Sequence, residues 1–151
     1  MSEAKRSETV EALMTGDPIT VNATTPLGQV KAVMTEARIR HVPVVDEEGL
    51  LGVVSDRDVS FIHGIPGVFE GVGEADVERV MAAPVTKVMK SRFLVERDVE
   101  TVSPQTSLKV AVEKLVANQM GSMPVVDEEG EVVGMISVVD VMRWVSGEVL
   151  A

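Results

Sequence analysis

Apolar residues recur along this chain with two different periods, and the same succession occurs twice. Leu27, Val30, Val33, Met34 and Ala37 fall at helical spacing, and Leu108, Ala111, Val112, Leu115 and Val116 repeat the stripe. Pro26 suits the first position of the earlier helix, where its missing N–H is not needed, with Thr25 as the capping residue. Short valine-rich runs follow, at 42–45 and 50–55 and again at 123–126 and 132–137. Each pair of runs is split by Asp-Glu-Glu-Gly, whose glycine supplies the positive φ of a tight hairpin. Runs this uniformly apolar are expected to be strands buried on both faces. Extended segments at 18–22 and 100–103 precede the long helices, and short helices at 56–62 and 138–145 close each unit. The unit therefore reads strand, helix, strand, strand, helix.

The duplication is explicit in the letters. Pro-Val-Val-Asp-Glu-Glu-Gly begins at Pro43 and again at Pro124, and Ile19-Thr20-Val21 stands the same distance ahead of Glu100-Thr101-Val102. One residue is gained after the shared turn, so that Gly52 matches Gly134 and Ser55 matches Ser137. Residues 85–90 resemble 10–15 as a lead-in to each copy, and the second copy carries an insertion within 91–98 to which no function is attached. The repeats are placed at 9–63 and 85–146. A linker at 64–84 contains glycine breaks, a short helix at 74–82 and a stop at Pro84. One such unit is too small to cover its own sheet, and two packed together form one α/β (α+β) module.

Composition narrows the chemistry. The 151 residues carry a net charge of −10, which disfavours nucleic acid and anionic membranes as partners. A phosphate ligand would need a local basic cluster. Without cysteine there is no disulfide, thiol nucleophile or thiolate metal site. The N-terminal stretch lacks the apolar core of a secretory signal, and the expected location is cytoplasmic. His41 and His63 have no zinc-type spacing, and no phosphate-loop or dinucleotide-binding glycine pattern occurs. The acidic hairpin turns read as solvated loops. Nothing here assembles catalysis, so the chain is expected not to be an enzyme and to require no metal or cofactor.

The run Arg40-His41-Val42-Pro43-Val44-Val45-Asp46, the glycine after the turn, and Gly-x-x-Ser-x-x-Asp entering the last helix, in tandem, resemble the CBS domain pair, or Bateman module. The resemblance covers roughly 10–145. It implies two repeats about a pseudo-two-fold axis, clefts between them that take AMP, ADP, ATP or S-adenosylmethionine, and disc-like homodimers.

Candidate binding residues follow from ligand chemistry within that resemblance. Asp58 and Asp140 can each accept both hydroxyls of a ribose, and Ser55 and Ser137 can donate to ribose or phosphate oxygen. The same Ser-x-x-Asp spacing also describes a plain capping box. Ile19, Thr20 and Val21, with Thr101 and Val102, resemble segments that read adenine by main-chain groups. Val42, Pro43, Met123 and Pro124 resemble residues flanking the base, and plain core is the competing reading for the valines. Arg38, Arg40, His41 and Arg57 form a basic group suited to phosphate. Their second-copy counterparts are Gln119, Gly121, Ser122 and Val139, so the two sites are expected to be unequal. The resulting expectation is a regulatory sensor of an adenosine nucleotide acting on an unidentified protein effector. The alternatives are a dimerisation or docking module without a small ligand, and an S-adenosylmethionine binder. Trp144 is expected in packing or a dimer contact, and His63 at a helix end.

Overall fold

Backbone pairing follows the valine-rich runs. In a computed structural model that describes residues 8–57, 74–88 and 100–147, the chain forms α1 (Val10–Leu13), β1 (Thr15–Gly16), β2 (Val21–Asn22), α2 (Leu27–Ala37), β3 (His41–Asp46), β4 (Gly49–Ser55), α3 (Glu74–Ala82), α4 (Val85–Val88), α5 (Leu108–Ala117), β5 (Ser122–Val126), β6 (Val132–Ser137) and α6 (Val138–Ser146). The hairpins β3–β4 and β5–β6 are antiparallel, and Gly49 and Gly130 take φ of 121° and 83° at their turns. Both hairpins shift register at the same place, between Val44 and Val45 and between Val125 and Val126.

Each copy adds a parallel edge. Val21 pairs with Val44, and Val102 pairs with Val125, at identical positions in the duplicated pattern. The intervening helices α2 and α5 are the crossovers that parallel pairing demands. Both end in a left-handed residue, Arg38 (φ 56°) and Gln119 (φ 53°), where the chain turns back toward its sheet.

The chain divides into two compact units that do not follow the repeat boundaries. One comprises Ile19–Val99 and the other Met1–Pro18 with Glu100–Ala151. Each unit takes its lead-in from the other copy's sequence. Val10 N–H donates to the Thr106 carbonyl (2.9 Å) and Leu108 N–H to the Glu8 carbonyl (2.9 Å). The equivalent bonds in the other unit run from Val85 N–H to Thr25 (2.8 Å) and from Leu27 N–H to Ala83 (2.9 Å). Helix α3, within the stretch read as linker, lies against α2, where the Gly28 backbone approaches Met81.

Each unit has its own core. In one, Val21, Leu27, Val30, Met34, Val42, Val44, Val54 and Val85 are buried together. The other repeats all eight positions with Val102, Leu108, Ala111, Leu115, Met123, Val125, Ile136 and Val10, and adds Leu13 and Trp144. Trp144 is thus a packing residue. Strand β5 is buried along almost its whole length, whereas β4 and β6 alternate buried and half-buried residues toward their ends. In β4 and β6 the residues alternating with the buried ones are half-buried, so the expectation of strands buried on both faces is met only in part there. Thr25 is not the cap of α2 either. Its hydroxyl accepts the Asn22 N–H (3.0 Å) and closes the preceding turn, and Pro26 takes the cap position. At the matching place Ser107 caps α5 through Val110 N–H (3.2 Å).

Strand β1 lies antiparallel against β6, with Gly16 opposite Gly134. A Cβ on Gly134 would meet Met14 Sδ at 2.6 Å and the Thr15 carbonyl oxygen at 3.0 Å, whereas one on Gly16 would meet nothing within 4 Å. Gly134→Val is expected to destabilise the protein by about 1–3 kcal/mol in denaturant unfolding. Gly16→Ala is expected to stay within about 0.5 kcal/mol of wild type in the same measurement.

Candidate functional site

The candidate ribose-binding pairs lie where a strand hands over to a helix. Ser137 ends β6 in extended conformation, and α6 starts at the next residue. The Asp140 N–H donates to Ser137 Oγ (3.0 Å), and the Ser137 N–H donates to Asp140 Oδ2 (2.9 Å). This reciprocal capping box fixes a half-buried carboxylate at the helix N-terminus, where the helix dipole favours negative charge. A carboxylate has about four acceptor positions, so one backbone bond leaves Asp140 capacity for hydroxyl donors. The capping reading is therefore true of Asp140 and does not compete with ligand binding.

The junction is tied to the start of β5. Val138 N–H donates to the Gly121 carbonyl (3.0 Å), and Ser122 stands opposite Ser137 in the sheet. The Ser122 hydroxyl is buried, and among the described residues it has no hydrogen-bond partner.

The first copy reproduces this backbone with different side chains. Asp56 N–H donates to the Arg40 carbonyl (2.8 Å), and His41 stands opposite Ser55. The hairpin end thus carries Arg40, His41 and Ser55, with Arg57 two residues beyond Ser55. Arg40 and Arg57 are exposed, and His41 and Ser55 are half-buried. Arg38 is exposed at the left-handed end of α2, where its N–H donates to the Met34 carbonyl. Asp58 and His63 lie outside the described residues.

The candidate base-binding residues separate into two groups. The side chains of Val21, Val42, Pro43, Val102, Met123 and Pro124 are buried, and the apolar ones among them that line a core belong to the cores described above. Ile19 and Thr20 are exposed, and Thr101 is half-buried. The main chain sharpens this. Val102 N–H donates to the Pro124 carbonyl (3.1 Å), and its own carbonyl accepts the Val126 N–H (2.8 Å). Both polar groups of Val102 are consumed by the sheet. Successive residues of a strand point their main-chain groups to opposite sides, so those of Thr101 face away from β5 along an edge.

A residue that sequence reading passed over sits on that edge. Lys114 Nζ donates to the Thr101 carbonyl (3.2 Å) and lies 3.6 Å from Glu100 Oε2. Its first-copy counterpart is Val33, and that mismatch at a stripe position was the available signal. Among the described residues no group of three or more His, Asp or Glu is placed to hold a metal ion, and no helix is long and apolar enough to cross a membrane.

Known proteins share this arrangement. The family model of the CBS domain matches residues 10–62 and 77–147. The protein MJ1225 of Methanocaldococcus jannaschii is 27% identical over 144 residues, which cover 95% of this chain and 49% of that protein. Its crystal structure superposes with a TM-score of 0.77, covering 93% of this chain and 48% of that one. The inosine-5'-monophosphate dehydrogenase of Mycobacterium tuberculosis is 31% identical over 140 residues, or 92% of this chain and 22% of the enzyme. The chain thus spans about half the length of the first relative and less than a quarter of the second. The AcuB structure from Vibrio cholerae is 30% identical with a TM-score of 0.70, covering 92% of this chain and 90% of that one. Two further CBS structures share the fold. CBSX2 in complex with AMP has a TM-score of 0.71 at 23% identity over 93% of this chain and 97% of that one. The MJ0100 pair in complex with 5'-methylthioadenosine and S-adenosyl-L-methionine has a TM-score of 0.72 at 20% identity over 93% of this chain and 97% of that one. With both copies matched by the family model, and the same strand–helix junction built twice, the chain belongs to the CBS domain family as a tandem pair.

Proposed function

We propose that the chain is a regulatory module that binds an adenosine nucleotide, AMP, ADP or ATP, and reports its level to a protein effector. The observation that carries this reading is the Ser137–Asp140 junction, which holds a half-buried carboxylate with spare acceptor capacity at a strand–helix corner, where the two hydroxyls of a ribose can donate to it. Ser55 and Asp58 are assigned the same role in the first copy. Arg40 and His41, beside Ser55, supply the cation that a phosphate needs in an acidic protein, with Arg38 and Arg57 flanking them. Adenine is read by main-chain groups of the Thr20 edge, and the Thr101 edge faces the base of the second copy. Solved structures of the same fold hold AMP, 5'-methylthioadenosine or S-adenosyl-L-methionine, and adenine on a ribose with its 2',3'-diol is the part common to all three. Regulation requires that the ligand bind two states unequally, with the difference passed to the effector or to a second copy of the chain.

One observation favours the docking reading without a small ligand. Helix α6 leaves Val138, Val139, Met142 and Val145 between 41% and 64% exposed, although it buries Trp144. The two readings are separated by ligand response.

Thermal and denaturant unfolding with AMP, ADP, ATP and S-adenosylmethionine test the proposal. A ligand held by the native state at about 100 times its dissociation constant is expected to add about 2.7 kcal/mol of stability. Asp140→Ala is expected to lower stability of the ligand-free protein by about 0.5–2 kcal/mol through the lost cap, so its ligand response is referred to its own ligand-free value. Arg40→Ala is expected to weaken AMP about 10- to 100-fold while leaving S-adenosylmethionine nearly unchanged, since only AMP presents a phosphate. A folded wild-type protein that responds to none of the four compounds contradicts the proposal and leaves the docking reading.

A further inference from the structure

The two copies share a backbone but differ at the edge assigned to the nucleobase. In the second copy the outward-facing Thr101 carbonyl accepts a hydrogen bond from Lys114 Nζ at 3.2 Å, and Glu100 Oε2 holds the same ammonium at 3.6 Å. Lys114 comes from α5, so helix and edge are joined through this one side chain. Its side chain is 39% exposed. In the first copy Val33 takes the equivalent place on α2 and has no donor to offer the Thr20 carbonyl.

Resting on the adenosine reading above, we infer that Lys114 sets the base preference of the second copy, rejecting a 6-amino purine and accepting a 6-oxo purine. A main-chain edge reads adenine by donating an N–H to N7, which is unprotonated in 6-amino and 6-oxo purines alike, and accepting the 6-amino N–H at a carbonyl. Lys114 occupies that carbonyl. An ammonium carries three donors and no acceptor. A 6-amino group brought to this edge meets a donor with a donor. A 6-oxo group brought there accepts the remaining N–H of Lys114 while the bonds to Thr101 and Glu100 persist. Among the described residues no lysine competes for the Thr20 carbonyl, and the 6-amino purine is the matched partner. The copies thus separate two purine classes with one substitution, lysine for valine, on an otherwise repeated scaffold.

AMP and IMP differ at position 6 and in the proton that IMP carries on N1, which lies away from N7, and they are the probes for isothermal titration calorimetry on the full 151-residue chain. Wild type is expected to bind AMP at one site per chain and to bind IMP at a second site about tenfold more tightly than AMP binds there, the scale of one hydrogen bond to a charged group. Lys114→Val, which installs the first-copy residue, is expected to reverse that preference and raise AMP occupancy toward two per chain. Lys114→Arg keeps a cationic donor and is expected to keep the wild-type order. Circular dichroism confirms the fold of each variant, and Lys114→Met, which keeps the aliphatic stem, replaces Lys114→Val if the latter does not fold. AMP filling two sites in wild type, IMP failing to bind a second site, or an unchanged AMP-to-IMP ratio in the folded valine or methionine variant overturns the inference and leaves adenosine binding intact. No binding of either nucleotide to any of the proteins overturns both.

Discussion

The first backbone N–H groups of a helix have no partner within it, and in this protein a remote segment meets that need. Leu27 and Leu108 open the two long helices, and their N–H groups donate to the carbonyls of Ala83 and Glu8. The reciprocal bonds from Val85 and Val10 close each contact. These pairs fix where the lead-in helices lie, which brings Val85 into one core and Val10 and Leu13 into the other. They also place β1 against β6, across the bare Gly134 backbone. Pro26 offers no side-chain cap, so α2 depends on this arrangement more than α5, where Ser107 contributes its hydroxyl. Contacts joining residues 8–10 to 106–108 are among the longest-range in the chain, and topology of this kind slows folding by raising loop-closure entropy.

On that scaffold each copy builds the same corner. A serine ends the second strand of the hairpin, the next N–H bonds back to the residue three before the proline of the first strand, and a carboxylate three residues after the serine completes the corner in the second copy. The backbone is duplicated and the chemistry is not. Arg40 and His41 are answered by Gly121 and Ser122, Arg57 by Val139, and Val33 by Lys114. With a net charge of −10 the average field opposes an anion, and the proposed phosphate site is therefore assigned to the first copy, which carries Arg38, Arg40, His41 and Arg57. The second copy carries its cation on the base edge instead, at Lys114.

Much of this was legible in the letters. The repeated Pro-Val-Val-Asp-Glu-Glu-Gly run locates both hairpins, β6 and α3 fall where the pattern puts them, and Ser-x-x-Asp marks the α6 cap. The exchange of lead-ins was not legible. The likeness of residues 10–15 to 85–90 says that the two segments are equivalent, and equivalence is silent about which helix each one caps. Val42 and Met123 show a second limit, since a buried apolar residue beside a site and one filling the core have the same sequence signature. The Lys114 contact shows a third. A lysine on a helix is ordinarily solvated surface, and only the position of Thr101 on an unpaired edge gives it an acceptor.

The central claim is that a purine nucleotide engages these strand–helix corners and edges rather than some other surface. An NMR titration of the isotopically labelled chain with AMP, following backbone amide resonances, tests this most directly. The account predicts shifts concentrated at Thr20, at Arg40 and His41, and at Ser55 and Asp56, with the acidic hairpin turns at Glu47 and Glu128 unmoved. Saturating AMP that leaves the Thr20, His41 and Ser55 amides in place, or moves only the hairpin turns, would contradict it.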